Sequence, residues 1–172
     1  MKNTILIVVP TLNSYKILPN LVCSLENQTS NLWRLLLIDG NSCKEHKSYI
    51  RLLEENYFNI SIVEQTDKNP GIYGAMNIGI NLRNKNEWLM FWGSDDFAHN
   101  NNVIRDLVKL INKKEFEKID LIFNNAQYVN KKFMYKRNSS FKLINNNLKI
   151  SFLFGFSPPH QATLFSPRVL NK

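Results

Sequence analysis

The sequence alternates short apolar runs with stretches of helical periodicity, and this alternation limits the possible folds more than any other feature. Apolar residues recur at the spacing of amphipathic helices around 18–25, 50–57, 72–80 and 103–111. The apolar runs before, between and after them predict buried strands at Ile5–Val9, Leu35–Ile38, Ile60–Val63, Trp88–Trp92 and Leu121–Phe123. Strands that alternate with helices are typical of an α/β fold with a largely parallel sheet.

One domain accounts for the whole length. A chain of 172 residues that is 44% hydrophobic and 21% charged can bury a core, and this composition excludes a disordered or low-complexity protein. The strand and helix pattern is clear over 1–120 and weaker over 121–172. In the second part, residues 128–135 are compatible with a strand pair, and residues 148–154 fit either a helix or a strand.

The sequence predicts a cytoplasmic protein with reduced thiols. No apolar run approaches the roughly 18 residues needed to cross a bilayer, and the first residues lack the layout of a secretory signal. Cys23 and Cys43 are too few for a disulfide scaffold and lack metal-ligand spacing, so we expect both to be reduced and structural, buried as free cysteines usually are.

The net charge of +8 belongs to the C-terminal part of the chain. Residues 1–99 have a balance of −1 and residues 100–172 a balance of +9, with no carboxylate after Asp120. Such a surface suits polyanions or an anionic membrane, although a solvated lysine-rich face explains it equally well. Nucleic acid is a weaker interpretation because no recognisable binding motif accompanies the charge.

Ligands of open parallel sheets bind at the carboxyl ends of the strands, so the loops after the strands are the places where a site is expected. The loop after the first strand, Pro10-Thr11-Leu12-Asn13, contains no glycine. This argues against a dinucleotide-binding turn and against a P-loop, because both need glycine to bring backbone amides close to phosphates.

Three aspartates follow two of the predicted strands: Asp39 after the second, and Asp95 and Asp96 after the fourth. Carboxylates gathered at one edge of a sheet repel each other unless a cation lies between them, and Mg²⁺ or Mn²⁺ with substrate phosphates would fill that role. Local explanations also exist, since Asp39-Gly40 suits a plain turn and Ser94-Asp95-Asp96 suits a helix cap.

Five segments of the chain follow one another in the order Val8–Asn13, Leu37–Ser42, Gly71–Ile80, Trp92–Asp96 and Pro159–Phe165. In this order they resemble the family 2 glycosyltransferases of the GT-A fold, and the last segment is similar to one in the branch that builds bacterial surface polysaccharides. The resemblance spans about residues 4–166.

The resemblance implies roles for residues on the donor side. Pro10, Thr11 and Asn13 would line the nucleotide, mostly through their backbone, and Asp39 would contact the nucleobase or ribose. A carboxylate suits that role because it accepts hydrogen bonds from a base N–H or a hydroxyl.

The same resemblance implies a divalent cation, Mn²⁺ or Mg²⁺, with Asp96 as its ligand and Asp95 as a partner of the ribose, the metal or its water. Ile72, Ala75 and Met76 are expected in the core because they continue the apolar stripe of their helix. The residues expected to cover the diphosphate sugar are Asp67, Gly71, Gly74 and Asn77.

His160 and Gln161 would contact the acceptor or the leaving group, with His46 and His99 exposed to solvent. The family usually supplies a catalytic aspartate downstream of the His-Gln pair, and no Asp or Glu follows Asp120. We therefore expect a C-terminally truncated enzyme that binds its donor but transfers slowly. His160 is the alternative candidate for the base, because its pKa suits proton transfer.

These observations predict a single GT-A domain, with residues 1–120 binding nucleotide sugar and metal and residues 121–172 beginning the acceptor-side part. The expected reaction is inverting transfer of a sugar from a nucleotide diphosphate sugar to a bacterial glycan, lipid-linked and near the inner face of the membrane. The alternatives are a non-catalytic sugar-nucleotide-binding module, favoured by the missing base, and a nucleotidyltransferase, disfavoured by the glycine-free first loop.

Overall fold

A computed structural model of the chain describes residues 3–66, 68, 70–130, 134–139, 141, 147–153 and 155–171. Its main feature is a six-stranded sheet with the order β3-β2-β1-β4-β8-β5, beside a separate pair of strands, β6 and β7. The strands are β1 (Thr4–Thr11), β2 (Trp33–Asp39), β3 (Ile60–Glu64), β4 (Glu87–Phe91), β5 (Leu121–Phe123), β6 (Gln127–Val129), β7 (Tyr135–Asn138) and β8 (Thr163–Phe165).

The helices lie where the periodicity predicts them, and short 3-10 turns follow in the C-terminal part. Pro19 lies in the first turn of the first helix, where its missing N–H leaves no bond unmade. The ambiguous stretch is helical over Leu148–Leu153, and residue 154 lies outside the described residues. The helices are α1 (Leu18–Glu26), α2 (Lys44–Asn56), α3 (Gly71–Asn81), α4 (Val103–Ile111) and α5 (Leu148–Leu153).

Strands β3, β2, β1 and β4 are parallel, which confirms the predicted α/β fold class. The register pairs Thr11 with Asp39 across β1 and β2, and Val8 with Phe91 across β1 and β4. Strand β8 is antiparallel to both β4 and β5. The apolar pattern did not predict β8, because three residues are too short to show a period.

The sheet has a core on each face. Helices α1, α2 and α4 cover one face, around Ile7 and Leu35, whereas α3 covers the other, around Leu6 and Val8. In the described part of the chain, no helix is long and apolar enough to cross a membrane.

Two predictions about burial are wrong. Ile72 is exposed instead of lying in the core, because α3 turns Gly74, Ala75 and Gly79 toward the sheet, and Met76 is only partly buried. Cys23 and Cys43 are free thiols, but both are exposed, since they lie on the outer side of α1 and at the start of α2.

Helix α3 comes unusually close to β1 at Gly79. A Cβ atom added there would lie 2.5 and 2.6 Å from the two γ-methyl carbons of Val8, closer than unstrained carbon atoms pack. Val8 is itself fully buried in the centre of the sheet and cannot turn aside. The absence of a side chain at position 79 therefore sets the distance between α3 and the sheet.

We expect Gly79→Ala to destabilise the protein by about 1–3 kcal/mol, because the added methyl overpacks the contact with Val8. Helix propensity alone predicts that Gly79→Ala would instead stabilise the protein, by about 1 kcal/mol. Urea unfolding measures the difference, with the exposed Asn81→Ala in the same helix as control. A Gly79→Ala protein as stable as the wild type would show that α3 does not need this close approach.

Candidate functional site

The loops after β1, β2 and β4 meet at the carboxyl edge of the sheet. Because β1 lies between the other two strands, β2 and β4 are separated across the sheet by two strand spacings, roughly 10 Å. Asp39 ends β2, and Asp95 and Asp96 follow β4. The predicted donor-side residues therefore line one edge, with Asp39 at one end and the aspartate pair at the other.

The loops after β1 and β2 each contain one asparagine whose backbone is in the left-handed conformation. Asn13 has a φ of 53° and Asn41 a φ of 66°, a backbone conformation that asparagine tolerates better than most residues. The two loops are joined: the Asn13 N–H donates to Ser42 Oγ at 2.9 Å, and the Cys43 N–H donates to Asn13 Oδ1 at 2.7 Å. These bonds fix the Pro10–Asn13 segment beside Asp39.

Asp39 is fully buried, yet only part of its hydrogen-bonding capacity is used. Its Oδ2 accepts a bond from the Ser42 N–H at 3.1 Å. Its Oδ1 receives no hydrogen bond from the described residues, and His46 Nε2 lies 3.6 Å away, beyond hydrogen-bond distance. A buried carboxylate oxygen without a donor is unusual, and it is the kind of acceptor that a ligand N–H or O–H satisfies.

His46 is completely buried, so the prediction that it is exposed to solvent is wrong. Its Nε2 lies 3.1 Å from Thr11 Oγ1, and the Thr11 hydroxyl also forms a short bond with Ser14 Oγ. Burial lowers the pKa of the His46 imidazole, while the nearby negative charge of Asp39 opposes that shift. At neutral pH the His46 imidazole is therefore uncharged, and it packs beside the Asp39 carboxylate. His99 is exposed, as predicted.

Sequence reasoning missed His46, although a signal was present. Position 46 lies four residues before Ile50 and seven before Leu53, and these are the buried positions of α2. The histidine thus continues an apolar stripe, and its burial follows from that spacing.

Asp95 and Asp96 form a turn that folds back over Gly93. The Gly93 N–H donates to Asp96 Oδ2 at 2.6 Å, and a Cβ atom at Gly93 would lie 2.8 Å from Asp95 Oδ1 and 3.3 Å from Asp96 Oδ2. Oxygens from both carboxylates therefore converge above a residue that has no side chain, a fitting place for a cation.

The electrostatics of Asp96 also favour a cation. Burial raises the pKa of its carboxyl and the charge of Asp95 raises it further, whereas the Gly93 N–H and the charge of His160 lower it. A bound cation would relieve both unfavourable contributions. The effect of His160 also shows that this imidazole lies near Asp96, so the structure brings together two predicted site residues that are 64 positions apart in the sequence.

The three aspartates do not form one cluster. Among the described residues, no three His, Cys, Asp or Glu side chains are grouped in a way that could hold a metal ion by themselves. Asp39 is paired with Ser42 and lies beside His46, away from the Asp95-Asp96 pair. Two protein carboxylates still fit Mg²⁺ or Mn²⁺, because these ions commonly take their remaining ligands from water and substrate phosphates.

The remaining predicted residues lie on α3 and around the last strand. Gly71 begins α3 with a φ of 76° and is exposed, as is Asn77, whereas Gly74 is buried. Asp67 lies outside the described residues. His160 and Gln161 form a 3-10 turn just before β8, with His160 exposed and Gln161 partly buried.

Comparison with protein families decides the classification. The model described as "Glycosyl transferase family 2" matches residues 6–166, nearly the whole chain. The chain belongs to glycosyltransferase family 2. Two curated relatives of this transferase chain, both called "PGL/p-HBAD biosynthesis glycosyltransferase", come from Mycobacterium bovis and Mycobacterium tuberculosis. Each is 31% identical over 120 residues, which make up 70% of this chain and 45% of the relative.

Solved structures confirm the GT-A fold of this family 2 chain. TarS 1-349 from S. aureus in complex with UDP-GlcNAc aligns with a TM-score of 0.72 and 20% identity, over 98% of this chain and 46% of that one. The mannosyltransferase PcManGT from Pyrobaculum calidifontis, in complex with GDP-Man and Mn²⁺, aligns with a TM-score of 0.67 and 13% identity, over 99% and 46%. The chain thus spans about half the length of these relatives.

The burial of His46 predicts that stability falls in acid. Above its ordinary pKa of about 6.5 the imidazole is neutral in both folded and unfolded states, whereas below it the unfolded chain takes up the proton first, because the folded pKa is lower. The free energy of unfolding should therefore decrease from about pH 6.5 down to the folded pKa, by at most about 1.4 kcal/mol per pH unit from this group.

Urea unfolding at several pH values tests this expectation. His46→Gln should lose that part of the pH dependence, and the exposed His99→Gln should keep it. If His46→Gln does not fold, NMR titration of the wild-type imidazole gives the same answer. A His46 pKa at or above the ordinary value would contradict the account.

Proposed function

We propose that this family 2 chain binds a nucleotide diphosphate sugar along the carboxyl edge of β2, β1 and β4, and that the enzyme transfers the sugar with inversion. The observation that carries the proposal is the placement of two different groups at one edge of the sheet, at the carboxyl ends of two strands that are separated by β1 alone. An unfilled buried acceptor on Asp39 suits a nucleoside, and the paired carboxylates of Asp95 and Asp96 suit a diphosphate with its cation.

The nucleoside would lie between the joined loops after β1 and β2. Pro10, Thr11 and Asn13 would contact it mainly through backbone, and Asp39 Oδ1 would accept a hydrogen bond from a base N–H or a ribose hydroxyl. Access requires a small movement, since Asp39 is buried. The binding of UDP by TarS supports this class of ligand.

Asp96, with Asp95, would hold a divalent cation between the protein and the diphosphate. Bound there, such an ion would neutralise charge on the departing diphosphate. Gly71, Gly74 and Asn77 of α3, with Asp67 before the helix, would cover the diphosphate sugar. The exposed, left-handed Gly71 suits close approach of backbone to phosphate.

His160 and Gln161 would contact the leaving group or the acceptor. The interaction between His160 and Asp96 supports this position, because it places an imidazole beside the proposed diphosphate site. A donor N–H from His160 would stabilise negative charge as the diphosphate leaves. We assign His160 this contact role and not that of the base, which the reaction needs to take the proton of the acceptor hydroxyl.

The acceptor would be a bacterial glycan on a lipid carrier, handled by residues 121–172 beside a cytoplasmic membrane face. All four residues of β7 are exposed, and the Arg137 guanidinium lies 5.0 Å from the centre of the Tyr128 ring. Helix α5 ends in Phe152 and Leu153, which are also exposed. Exposed basic and apolar side chains are the kind that an interface with anionic lipid uses.

Asp96→Ala should abolish the gain in UDP affinity that Mn²⁺ produces, a loss of at least about tenfold, or about 1.4 kcal/mol. Calorimetric titration of UDP with and without Mn²⁺ measures it, and Asp106→Ala, an exposed acid on α4, is the matched control. An Asp96→Ala protein that folds and keeps the full Mn²⁺ response would rule out Asp96 as the metal ligand.

His160→Ala should weaken UDP binding in the presence of Mn²⁺ by about tenfold or more, because a hydrogen bond to a charged group contributes about 1.5–3 kcal/mol. His99→Ala, also exposed, should leave the affinity unchanged. If His160→Ala binds UDP normally but loses sugar transfer, His160 is the base and its contact role is wrong.

Binding to vesicles of anionic phospholipid should weaken steeply between low and physiological salt, since charges more than about 10 Å apart are screened at about 0.1 M. Neutral phosphatidylcholine vesicles should not bind. Co-sedimentation measures both, and equal retention by the two lipids, or none by either, would leave the basic surface as a solvated face.

A further inference from the structure

A cleft of about 400 Å³ lies beside helix α1, apart from the loops that hold Asp39. One wall is the outer side of α1, with Asn20, Cys23 and Ser24. The floor is the segment after the aspartate pair, with Phe97 and His99. A volume of this size lies within the range of about 300–1,000 Å³ that small-molecule sites occupy.

The pair β6 and β7 forms the opposite wall through one of its two faces. Gln127, Val129 and Tyr135 line the cleft. Val129 and Tyr135 are paired in the register, and Tyr128 is paired with Arg137. Since side chains alternate along β6, Tyr128 lies on the other face, outside the cleft. The register is irregular between Tyr128 and Val129, and the Arg137 guanidinium lies 5.0 Å from the centre of the Tyr128 ring.

The chemistry of the cleft favours a neutral ligand with hydroxyl groups. No Asp, Glu, Lys or Arg is among the described residues that line it, and His99 is the one basic side chain among them, so the lining is mostly uncharged. The side-chain amides of Asn20 and Gln127 can both donate and accept, which matches the two-way hydrogen bonding of sugar hydroxyls. The exposed ring of Tyr135 offers a flat apolar surface for the C–H face of a sugar ring.

The cleft is joined to the aspartate turn by the chain itself. Phe97 directly follows Asp96, and the next residue is fixed to α1, because the Ala98 N–H donates to Ser24 Oγ at 3.0 Å. A ligand in the cleft therefore lies next to the carboxylates proposed to hold the donor diphosphate. Its position suits the second substrate of a transfer reaction.

We propose that this cleft binds a neutral sugar ring of the acceptor glycan, with Asn20 and Gln127 contacting hydroxyls and Tyr135 packing against the ring. This assignment rests on the proposed function, since only a transferase that uses a sugar donor needs a second sugar here. It accounts for a cleft whose described lining has two side-chain amides and no carboxylate, lysine or arginine.

The exposed thiol of Cys23 makes the cleft measurable in the full 172-residue chain. Iodoacetamide labels Cys23 and Cys43 at rates that mass spectrometry of peptides separates, and Cys43, exposed at the start of α2, is the internal control. The probes are methyl glycosides of glucose, galactose, mannose and N-acetylglucosamine. At about three times its Kd, a bound glycoside should slow Cys23 labelling about fourfold, because the free fraction falls as 1/(1 + [L]/Kd), and leave Cys43 unchanged.

Tyr135→Ala and Asn20→Ala, on opposite walls, should each remove the protection, and Tyr128→Ala, on the outer face of the same strand pair, should keep it. The proposal is overturned if no glycoside protects Cys23, or if protection persists in both cleft variants. UDP titration in the same samples distinguishes failure of the cleft proposal from failure of the proposed function. Normal UDP binding without protection of Cys23 refutes only sugar binding in the cleft. Protection of Cys23 without UDP binding refutes the proposed donor site.

Discussion

The site depends on β1 being held between β2 and β4 with all three strands parallel. Parallel neighbours must be joined by crossovers, so their carboxyl ends, and the loops that follow, share one edge. At the opposite edge, Arg34 of β2 donates two hydrogen bonds to the buried Glu87 of β4, at 3.0 and 2.9 Å, and so bridges across β1. This bidentate pair links β2, which ends at Asp39, to β4, which the Asp95-Asp96 pair follows.

Much of this arrangement could be read from the sequence. Strand-sized apolar runs ending in Asp39 and before Asp95 place these carboxylates at one edge, and that inference needs only the rule for parallel strands. The places of the helices also follow from periodicity, with α4 at Val103–Ile111 as predicted, although α2 begins at Lys44, six residues before its predicted stripe. These features depend on local patterns that a single sequence displays.

Features that depend on contacts between distant segments were harder to predict. Ile72 fits an apolar stripe, yet it is exposed, because the close approach at Gly79 selects which side of α3 faces β1. The burial of His46 depends on Thr11, 35 residues away, and strand β8 pairs with β4 across a long stretch of sequence. No local pattern encodes such pairings, although the stripe of α2 did include position 46.

The central claim is that a divalent cation and a nucleotide share the carboxyl edge of β1, with the ion at Asp96. Paramagnetic broadening by substoichiometric Mn²⁺ in ¹H–¹⁵N spectra of the UDP-bound chain tests this directly. The account predicts the strongest broadening at the Gly93 and Asp96 amides, weaker broadening at Gly40, and none at Leu32 and Asn59, which lie at the other edge, roughly 20 Å away along the strands. Broadening centred elsewhere, or uniform over the chain, would contradict it.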